Sequence, residues 1–211
     1  MPIRAVLFDF DGTLADSFAA ITSSVNHVRS SYGLGPLAEP AVREYVGLGL
    51  TQLMKDLVPV APPEDAVERY RTHHWTIALA ETKLLPGVAE TLPLLQARRI
   101  KMAVCSNKAV AFTKALVAGL GLAPYMNEVL GPDDVAAPKP DPAMLLEGLR
   151  RLEVSADESV YVGDMAVDVH AARAAKMPVW LVPGGAVGRE SPADASPDRM
   201  LKSFFELLEL I

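Results

Sequence analysis

Apolar residues follow two different spacings in the first part of the chain, and each spacing predicts a different element. A continuous apolar run at 5–8 predicts a short strand over 4–10, because a strand buried on both faces shows no polar alternation. From residue 16 onward, apolar positions recur every three or four residues. This spacing predicts a helix over 16–32 that ends before Gly33.

Two further helical stretches follow, with no strand pattern between them. One begins after Pro40 and is interrupted by Gly47 and Gly49, and the other covers about 64–82. We therefore expect three helices within residues 16–83, forming an all-helical cap domain. This cap is inserted between residues 1–15 and residues 84–211, which together form the predicted α/β core.

Strand and helix patterns alternate after the insert. Strands are predicted over 100–105, 127–130, 159–162 and 179–182, and helices over 86–97, 108–120, 141–152, 168–175 and 199–210. Such alternation predicts an α/β fold with a Rossmann-like parallel sheet covered by helices on both faces. Residues 184–197 are rich in Gly, Ala, Ser and Pro, a composition that predicts a long loop.

Composition narrows the class of protein. The 211 residues are 50 % hydrophobic and include a single cysteine, Cys105, so an intramolecular disulfide is excluded and a reducing, cytoplasmic location is expected. The net charge is −6 without a long basic run, which argues against nucleic-acid binding. No apolar run reaches the roughly 20 residues that span a membrane. We expect a monomer or homodimer without a nucleic-acid or membrane partner.

Acidic residues follow two of the predicted strands. Asp9 and Asp11 come directly after the first strand, and Asp164 follows the strand at 159–162, with Asp168 shortly behind it. Binding sites of parallel sheets lie beyond the carboxyl ends of the strands. Residues two apart in an extended segment point the same way, so Asp9 and Asp11 can face one cavity and titrate differently. Carboxylates gathered there need a cation, and their hard oxygens suit Mg²⁺.

Other polar residues are expected at the same edge of the sheet. Ser106 and Asn107 follow the strand at 100–105, and Thr13 follows Gly12. Their hydroxyl and amide groups can donate hydrogen bonds to phosphate oxygens. Lys139 lies among three prolines at 138–142. These restrain its backbone, so the lysine can offset the charge of Asp9 and of a bound phosphate.

These residues form four ordered motifs: 9–14 (Asp-Phe-Asp-Gly-Thr-Leu), 106–108 (Ser-Asn-Lys), 139–140 (Lys-Pro) and 163–168 (Gly-Asp-Met-Ala-Val-Asp). Their order and spacing resemble the haloacid dehalogenase superfamily over essentially the whole chain, and the insert resembles that superfamily's cap domain. The resemblance implies that Asp9 is the nucleophile and a Mg²⁺ ligand. It implies that Asp11 is the acid/base and binds the metal through its backbone carbonyl.

The same resemblance assigns the remaining motif residues. Thr13, Ser106 and Asn107 hold phosphate or shape the site, and Lys139 steadies the nucleophile and the phosphoryl oxygens. Asp164 binds Mg²⁺, and Asp168 supports the metal shell. Phosphoryl transfer depends mainly on positioning and charge neutralisation, which this set of residues supplies.

The expected substrate is a small-molecule phosphate. Two features of the sequence narrow its class. An acid two residues after the nucleophile resembles the phosphatases and phosphomutases of the superfamily, whereas its dehalogenases lack that acid. The cap stretch 43–50 resembles that of phosphoglycolate phosphatases. We expect Arg43 to meet a substrate carboxylate and the backbone at Gly47 and Gly49 to meet an anion. The segment 183–186 departs from the Gly-Tyr or Gly-His stretch common in those enzymes.

Alternatives stay open at this level. The substrate could be a sugar phosphate, a nucleotide or pyrophosphate, and a β-phosphoglucomutase-like phosphomutase would share the same core. A non-catalytic phosphate-binding protein is disfavoured because Asp9, Asp11, Lys139 and Asp164 are all present. The histidines, including His74 on an apolar helix face, are interpreted as packing or surface residues.

Overall fold

A six-stranded parallel sheet forms the centre of the core. The computed structural model describes residues 2–183 and 191–211. Six of the strands described belong to this sheet, and β2 and β3 form a separate pair. The strands are β1 (Ala5–Phe8), β2 (Ala15–Asp16), β3 (Lys83–Leu84), β4 (Lys101–Cys105), β5 (Glu128–Leu130), β6 (Ser159–Gly163), β7 (Val179–Leu181) and β8 (Arg199–Met200). The sheet order is β5-β4-β1-β6-β7-β8, with every neighbouring pair parallel. The predicted parallel sheet is confirmed, with β1 at its centre.

Helices cover both faces of this sheet. The α-helices are α1 (Phe18–Ser31), α2 (Glu39–Arg43), α3 (Leu50–Leu57), α4 (Pro63–Ile77), α5 (Val88–Ala97), α6 (Val110–Gly119), α7 (Ala143–Leu152), α8 (Ala166–Ala174) and α9 (Leu207–Leu210). Val6 and Phe8 of β1 pack into the cluster that contains α5, α6 and α9. Ala5 and Leu7 pack into the opposite cluster, with α7 and α8. Alternate residues of a strand point to opposite faces, so β1 is apolar throughout.

The insert contains four helices, α1 to α4, where the sequence predicted three. Gly47 and Gly49 adopt φ of 111° and 88°. L-residues with side chains rarely adopt these values, and the chain turns there and separates α2 from α3. The insert has its own apolar cluster, which also includes Met165 and Val167 of the core.

A two-residue antiparallel ladder joins the points where the chain enters and leaves the insert. Ala15 pairs with Leu84 and Asp16 with Lys83. The sequence analysis predicted no strand here, because two residues are too few to show a periodic pattern.

The predicted helix over 199–210 is wrong for its first half. Arg199–Met200 is the edge strand β8, and a 3₁₀ turn over Phe204–Glu206 precedes α9. Leu201, Phe204 and Leu207 are all buried, and their three-residue spacing imitates a helix face. The backbone N–H of Leu201 instead donates to the carbonyl of Leu181 at 2.7 Å, which extends the sheet contact.

Two further sequence expectations concern the rest of the chain. Residues 184–190 of the predicted loop lie outside the described residues, and residues 191–197 form turns and irregular backbone. None of the helices in the described ranges is long and apolar enough to cross a membrane.

Candidate active site

Three buried carboxylates converge at the carboxyl edge of the sheet. Asp9 follows β1, Asp164 follows β6, and Asp168 lies in the first turn of α8. One oxygen from each lies within 4.8 Å of the other two. The sequence predicted this convergence from the strand ends, with Asp168 expected close behind Asp164 at the start of a helix. The Asp11 carboxylate is not part of this group of three.

Asp168 is held by hydrogen bonds to both of its oxygens. Oδ1 accepts from Lys139 Nζ at 2.8 Å and lies 3.3 Å from the Tyr161 hydroxyl oxygen. Oδ2 accepts from the backbone N–H groups of Asp164 and Met165, at 3.1 and 3.0 Å. A carboxylate oxygen has about two lone-pair sites, so these bonds leave little capacity for a metal ion. Asp168 is therefore suited to orienting its neighbours rather than to direct metal binding.

Gly163 is required by the position of Asp168. A Cβ atom added at residue 163 would lie 2.5 Å from the Asp168 carboxyl carbon and from Oδ2. Any side chain at 163 would displace the carboxylate that bonds the following two N–H groups. The close approach of Asp168 therefore explains why glycine occupies position 163.

Lys139 lies between two of the carboxylates. Its ammonium is 3.0 Å from Asp9 Oδ1 and 2.8 Å from Asp168 Oδ1, and its side chain is 1 % exposed. Burial alone disfavours the charged amine, but the carboxylates of Asp168 and Asp9 outweigh it and raise the pKa of Lys139 above its usual value. Lys139 therefore stays charged in the protein interior.

Tyr161 is a site residue that the sequence analysis missed. Its hydroxyl accepts from Lys139 Nζ at 2.7 Å and donates to the backbone carbonyl of Cys105 at 2.8 Å. The available signal was a phenol inside an otherwise apolar buried strand, because a buried hydroxyl requires a hydrogen-bond partner.

Asn107 connects three segments of the chain through its side-chain amide. Oδ1 accepts from the backbone N–H of Lys139 at 2.9 Å. Nδ2 donates to the carbonyls of Lys139 and of Gly47, each at 2.8 Å. The sequence analysis expected a phosphate ligand or a residue that shapes the site. The structure places Asn107 where it fixes the Lys139 backbone and ties it to the insert.

We expect Asn107→Asp to destabilise the protein by about 1–3 kcal/mol, because a carboxylate would face two carbonyl oxygens that need a donor. Urea unfolding measures the change. Asn26→Asp is a matched control, since Asn26 makes the same two-way contact with the backbone of Leu37, at 2.8 and 2.9 Å, inside the insert. Both variants should lose stability, but only Asn107→Asp should lower turnover. Equal turnover in the two variants would contradict the assigned role of Asn107.

The charge of Asp9 is only partly compensated by its surroundings. Burial raises its pKa from 3.8 to about 6, against the opposing effect of Lys139, with a further rise from Asp168. Oδ1 is buried and accepts no well-directed hydrogen bond from any residue that the structure describes. A buried carboxylate oxygen that lies beside Asp164, with only the Lys139 ammonium near it, fits a hard divalent cation such as Mg²⁺. The chemistry of this site therefore agrees with the expected cofactor.

Thr13 and Ser106 lie on different sides of these carboxylates. Thr13 is fully buried, and its hydroxyl donates to Asp164 Oδ1 at 2.9 Å. Thr13 is absent from the cavity lining, so its observed role is to orient Asp164. Ser106 lines the cavity beside Asp9, and its hydroxyl bond to Asp9 lowers the pKa of that carboxyl.

Asp11 shares the cavity with Asp9 but has different partners. Both carboxylates line the cavity, as the sequence predicted, and Gly12 turns the chain with φ of 85°. Lys108 Nζ lies 3.2 Å from each oxygen of Asp11, and the Ser17 hydroxyl donates to Oδ1. The two acids thus have separate cations, Lys139 for Asp9 and Lys108 for Asp11.

The insert closes the cavity from the opposite side. Gly47, Gly49 and Leu50 line it, together with side chains from α1, α3 and α4. A Cβ atom at Gly47 would lie 2.7 Å from Met165 Sδ, so this loop approaches the core closely. The cavity volume is about 70 Å³, space for several water molecules, which suits a small substrate. The two glycines lie where the sequence placed them, at the cavity.

Arg43 does not reach the cavity, in contrast to the sequence-based expectation. Its guanidinium lies 3.0 Å from Glu39 and 3.6 Å from Asp16 and sits 4.0 Å above the Phe18 ring. These contacts hold the side chain at the entrance to the insert. Sequence alone could not reveal them, because they depend on the direction of the side chain.

His74 is a cavity residue that the sequence analysis interpreted as packing or surface. It lines the cavity and is 1 % exposed. Its Nδ1 lies 3.0 Å from the Ser24 hydroxyl oxygen, and Nε2 has no hydrogen-bond partner among the described residues. Burial, followed by the charge of Lys108, lowers the pKa of His74 to about 3. The imidazole is therefore neutral near pH 7.

Comparison with known proteins gives consistent matches. Residues 6–182 match the family model of haloacid dehalogenase-like hydrolases. The chain is 36 % identical over 193 residues to a phosphoglycolate phosphatase of Rhodospirillum rubrum, covering 86 % of this chain and 80 % of the relative. It is 34 % identical over 217 residues to the plasmid phosphoglycolate phosphatase of Cupriavidus necator, covering 100 % and 94 %.

The fold of this chain also matches that of solved structures. A crystal structure of a predicted phosphoglycolate phosphatase from Haemophilus somnus superimposes with a TM-score of 0.90 at 24 % identity. The superposition covers 99 % of this chain and 97 % of that one. It shows that the two proteins share a fold.

Proposed function

The chain belongs to the haloacid dehalogenase-like hydrolases and is a phosphoric monoester hydrolase, and from this premise we propose that it hydrolyses a small phosphate monoester through a phosphorylated Asp9, with Mg²⁺ as cofactor. The best candidate substrate is 2-phosphoglycolate, because the two bacterial relatives are named phosphoglycolate phosphatases. One observation carries the mechanism. The buried Asp9 carboxylate lies at the cavity, 3.0 Å from Lys139, while Asp11 faces the same space.

In the proposed first step, a carboxylate oxygen of Asp9 attacks the phosphorus atom and the ester P–O bond breaks. A proton carried by Asp11 goes to the leaving alkoxide, which departs as an alcohol. In the second step, Asp11 accepts a proton from a water molecule whose oxygen attacks phosphorus. The P–O bond to Asp9 breaks, inorganic phosphate leaves, and the Asp9 carboxylate is restored. Lys139 holds Asp9 in position and offsets negative charge in both steps.

The proposed Mg²⁺ site is made by Asp9 and Asp164, with the backbone carbonyl of Asp11 as a further oxygen. Asp168 and Thr13 orient Asp164, as their hydrogen bonds indicate. When bound, the metal supplies positive charge that neutralises the phosphoryl oxygens. Asp11 is thus proposed as a ligand only through its backbone, since its carboxylate is occupied by Lys108.

We expect Mg²⁺ affinity to weaken as the pH falls below about 6, by up to about tenfold per pH unit, because the metal must displace a proton from Asp9. Isothermal titration calorimetry between about pH 5 and pH 8 measures this. In the metal-free protein, the raised pKa means that protonation of Asp9 stabilises the folded state. This stabilisation is complete below the ordinary pKa of 3.8 and is lost as the pH rises through about 6. Asp9→Asn should remove the step in affinity, and a flat profile for the unsubstituted protein would contradict the burial argument.

Phosphate release from a substrate panel tests the proposed function. The panel contains 2-phosphoglycolate, sugar phosphates, nucleotides and pyrophosphate, each assayed with and without Mg²⁺. We expect Mg²⁺-dependent release with the highest kcat/KM for 2-phosphoglycolate. Preference for another ester would overturn the substrate and keep the chemistry. Release from none, with phosphoryl exchange between sugar phosphates, would identify the phosphomutase alternative.

A further inference from the structure

His74 carries a buried nitrogen that no described residue satisfies. The residue lines the cavity and is 1 % exposed, and its Nε2 has no hydrogen-bond partner in the described part of the chain. A buried polar atom without a partner costs free energy, so such atoms are uncommon in folded proteins. The proposed mechanism gives His74 no part, and the unpaired nitrogen therefore requires a different explanation.

The surroundings of Nδ1 determine which ring nitrogen of His74 carries the hydrogen. Nδ1 lies 3.0 Å from the Ser24 hydroxyl oxygen, and that hydroxyl donates its single hydrogen to the carbonyl of Ala20 at 2.9 Å. The Ser24 oxygen is then an acceptor, so Nδ1 must donate to it. Burial and the charge of Lys108 lower the pKa of His74, and a hydrogen bond with the Ala20 carbonyl, which only accepts, opposes them. In a neutral imidazole, a hydrogen on Nδ1 leaves Nε2 as an acceptor.

The ring packing turns Nε2 toward the cavity. Tyr70 stacks on His74 with ring centroids 5.0 Å apart, and Phe112 meets the imidazole edge-on at 5.1 Å. Both aromatic rings line the same cavity, whereas Ser24 is not among the described lining residues. The edge of an imidazole opposite Nδ1 carries Nε2, so Nε2 lies on the side of the ring away from Ser24. The cavity therefore has one uncharged hydrogen-bond acceptor within an aromatic wall.

The charges around His74 limit the kind of donor that suits Nε2. After burial, the positive charge of Lys108 is the strongest influence that lowers the His74 pKa, and it outweighs the opposing charge of Asp11. An ammonium group is disfavoured next to that positive charge. A carboxylate has no hydrogen to donate. An alcohol hydroxyl is the smallest uncharged donor, which suits a cavity of about 70 Å³.

We propose that His74 is a specificity-determining residue whose Nε2 accepts a hydrogen bond from a hydroxyl group on the leaving alcohol of the substrate. The inference rests on the proposed phosphatase function and extends it to a second substrate class, short phosphate monoesters of diols and polyols. 2-Hydroxyethyl phosphate and glycerol phosphate belong to this class. The carboxylate of 2-phosphoglycolate offers Nε2 no donor, so recognition of a hydroxyl is separate from recognition of a carboxylate.

The test compares two esters of equal length, 2-hydroxyethyl phosphate and propyl phosphate, which end in a hydroxyl and a methyl group. We expect the unsubstituted protein to have the higher kcat/KM for the hydroxyl ester. His74→Phe keeps a ring and removes the acceptor, so it should lower the ratio of the two kcat/KM values by about tenfold, the scale of one neutral hydrogen bond. His74→Gln should restore part of the ratio, because its amide oxygen can accept. An unchanged ratio in His74→Phe would overturn the proposal.

His73→Phe is the matched control. His73 precedes His74 on α4, its Nδ1 lies 3.3 Å from the same Ser24 hydroxyl oxygen, and it is not among the described lining residues. The substitution therefore changes a contact of Ser24 without changing the cavity wall, and the ratio should stay that of the unsubstituted protein. An equal fall of the ratio in His73→Phe and His74→Phe would assign the effect to packing of the insert and overturn the proposal.

Binding measurements that need no turnover separate this proposal from the proposed function. In calorimetry, 3-hydroxypropylphosphonate should bind more tightly than butylphosphonate, and His74→Phe should remove that preference. In ¹⁵N NMR, assigned by comparison with His74→Phe, the Nε2 signal should be that of an unprotonated nitrogen and should move when the hydroxylated phosphonate binds. If no ester is hydrolysed but these results are found, the function fails and the assignment of His74 stands. A protonated Nε2, or equal binding of the two phosphonates, overturns the assignment whatever the enzyme hydrolyses.

Discussion

Replacing Asp9 with asparagine should lower Mg²⁺-dependent phosphate release on the order of 10⁴-fold or more, the scale seen when a nucleophile is removed. The amide cannot attack phosphorus, and it offers Mg²⁺ a weaker ligand than a carboxylate. A steady-state assay at saturating Mg²⁺ measures the loss. Brief incubation with substrate and intact-mass measurement should show one added phosphoryl group on the unsubstituted protein and none on Asp9→Asn.

The fold should survive this substitution. Burial already disfavours the charged form of Asp9, so an uncharged amide removes a desolvation cost, while Lys139 keeps its contact with Asp168. We therefore expect the free energy of unfolding of the metal-free protein to be unchanged or higher. Asp157→Asn, at an exposed position, is the control for the assay. Retention of more than about one hundredth of the activity by folded Asp9→Asn would rule out Asp9 as the nucleophile.

Replacing Lys139 with methionine should cost about 3–5 kcal/mol of stability, because it leaves buried carboxylates without their cation. Lys139 contacts Asp9 and Asp168 at 3.0 and 2.8 Å, and both carboxylates are buried. Activity should fall by about 10²- to 10³-fold, since the charge next to the nucleophile is lost. Urea unfolding and phosphate release measure the two effects.

A second substitution separates the two consequences of losing Lys139. In Lys139→Met/Asp168→Asn, one unpaired charge is removed, so the double variant should be less destabilised than the sum of the single variants. Activity should not recover, because Asp9 still lacks its cation. Lys202→Met, at an exposed position, should change stability by less than about 0.5 kcal/mol. Additive losses in the double variant would contradict a shared ion-pair network.

The core of this protein was predictable because its signals are local in sequence. The uninterrupted apolar run of β1 is typical of a short strand covered on both faces, and acids directly after strands meet at one edge of a parallel sheet. The convergence of Asp9 and Asp164 follows from these two facts, and Asp168 joins them because α8 begins two residues after Asp164. The strands β2, β3 and β8 were missed because each has two residues, too few for a period to appear.

The insert side of the cavity was less predictable, because side-chain direction there is set by tertiary packing. Arg43 turns toward Glu39 and Phe18 rather than inward. His74 faces the cavity although its helix pattern reads as ordinary packing. Lys108 was visible in the sequence directly after Asn107, but only its 3.2 Å contacts with Asp11 show that it belongs to the site.

The short ladder between β2 and β3 has a consequence for how such proteins diversify. Because Ala15 and Leu84 are paired neighbours, adjacent strands about 4.7–4.9 Å apart carry the chain out of the core and back. A segment of different length or ancestry could be exchanged between these two junctions without moving any strand of the large sheet. Such a chimera would inherit the phosphoryl chemistry unchanged. It would also keep the contact between Asp11 and Lys108, since both residues belong to the core.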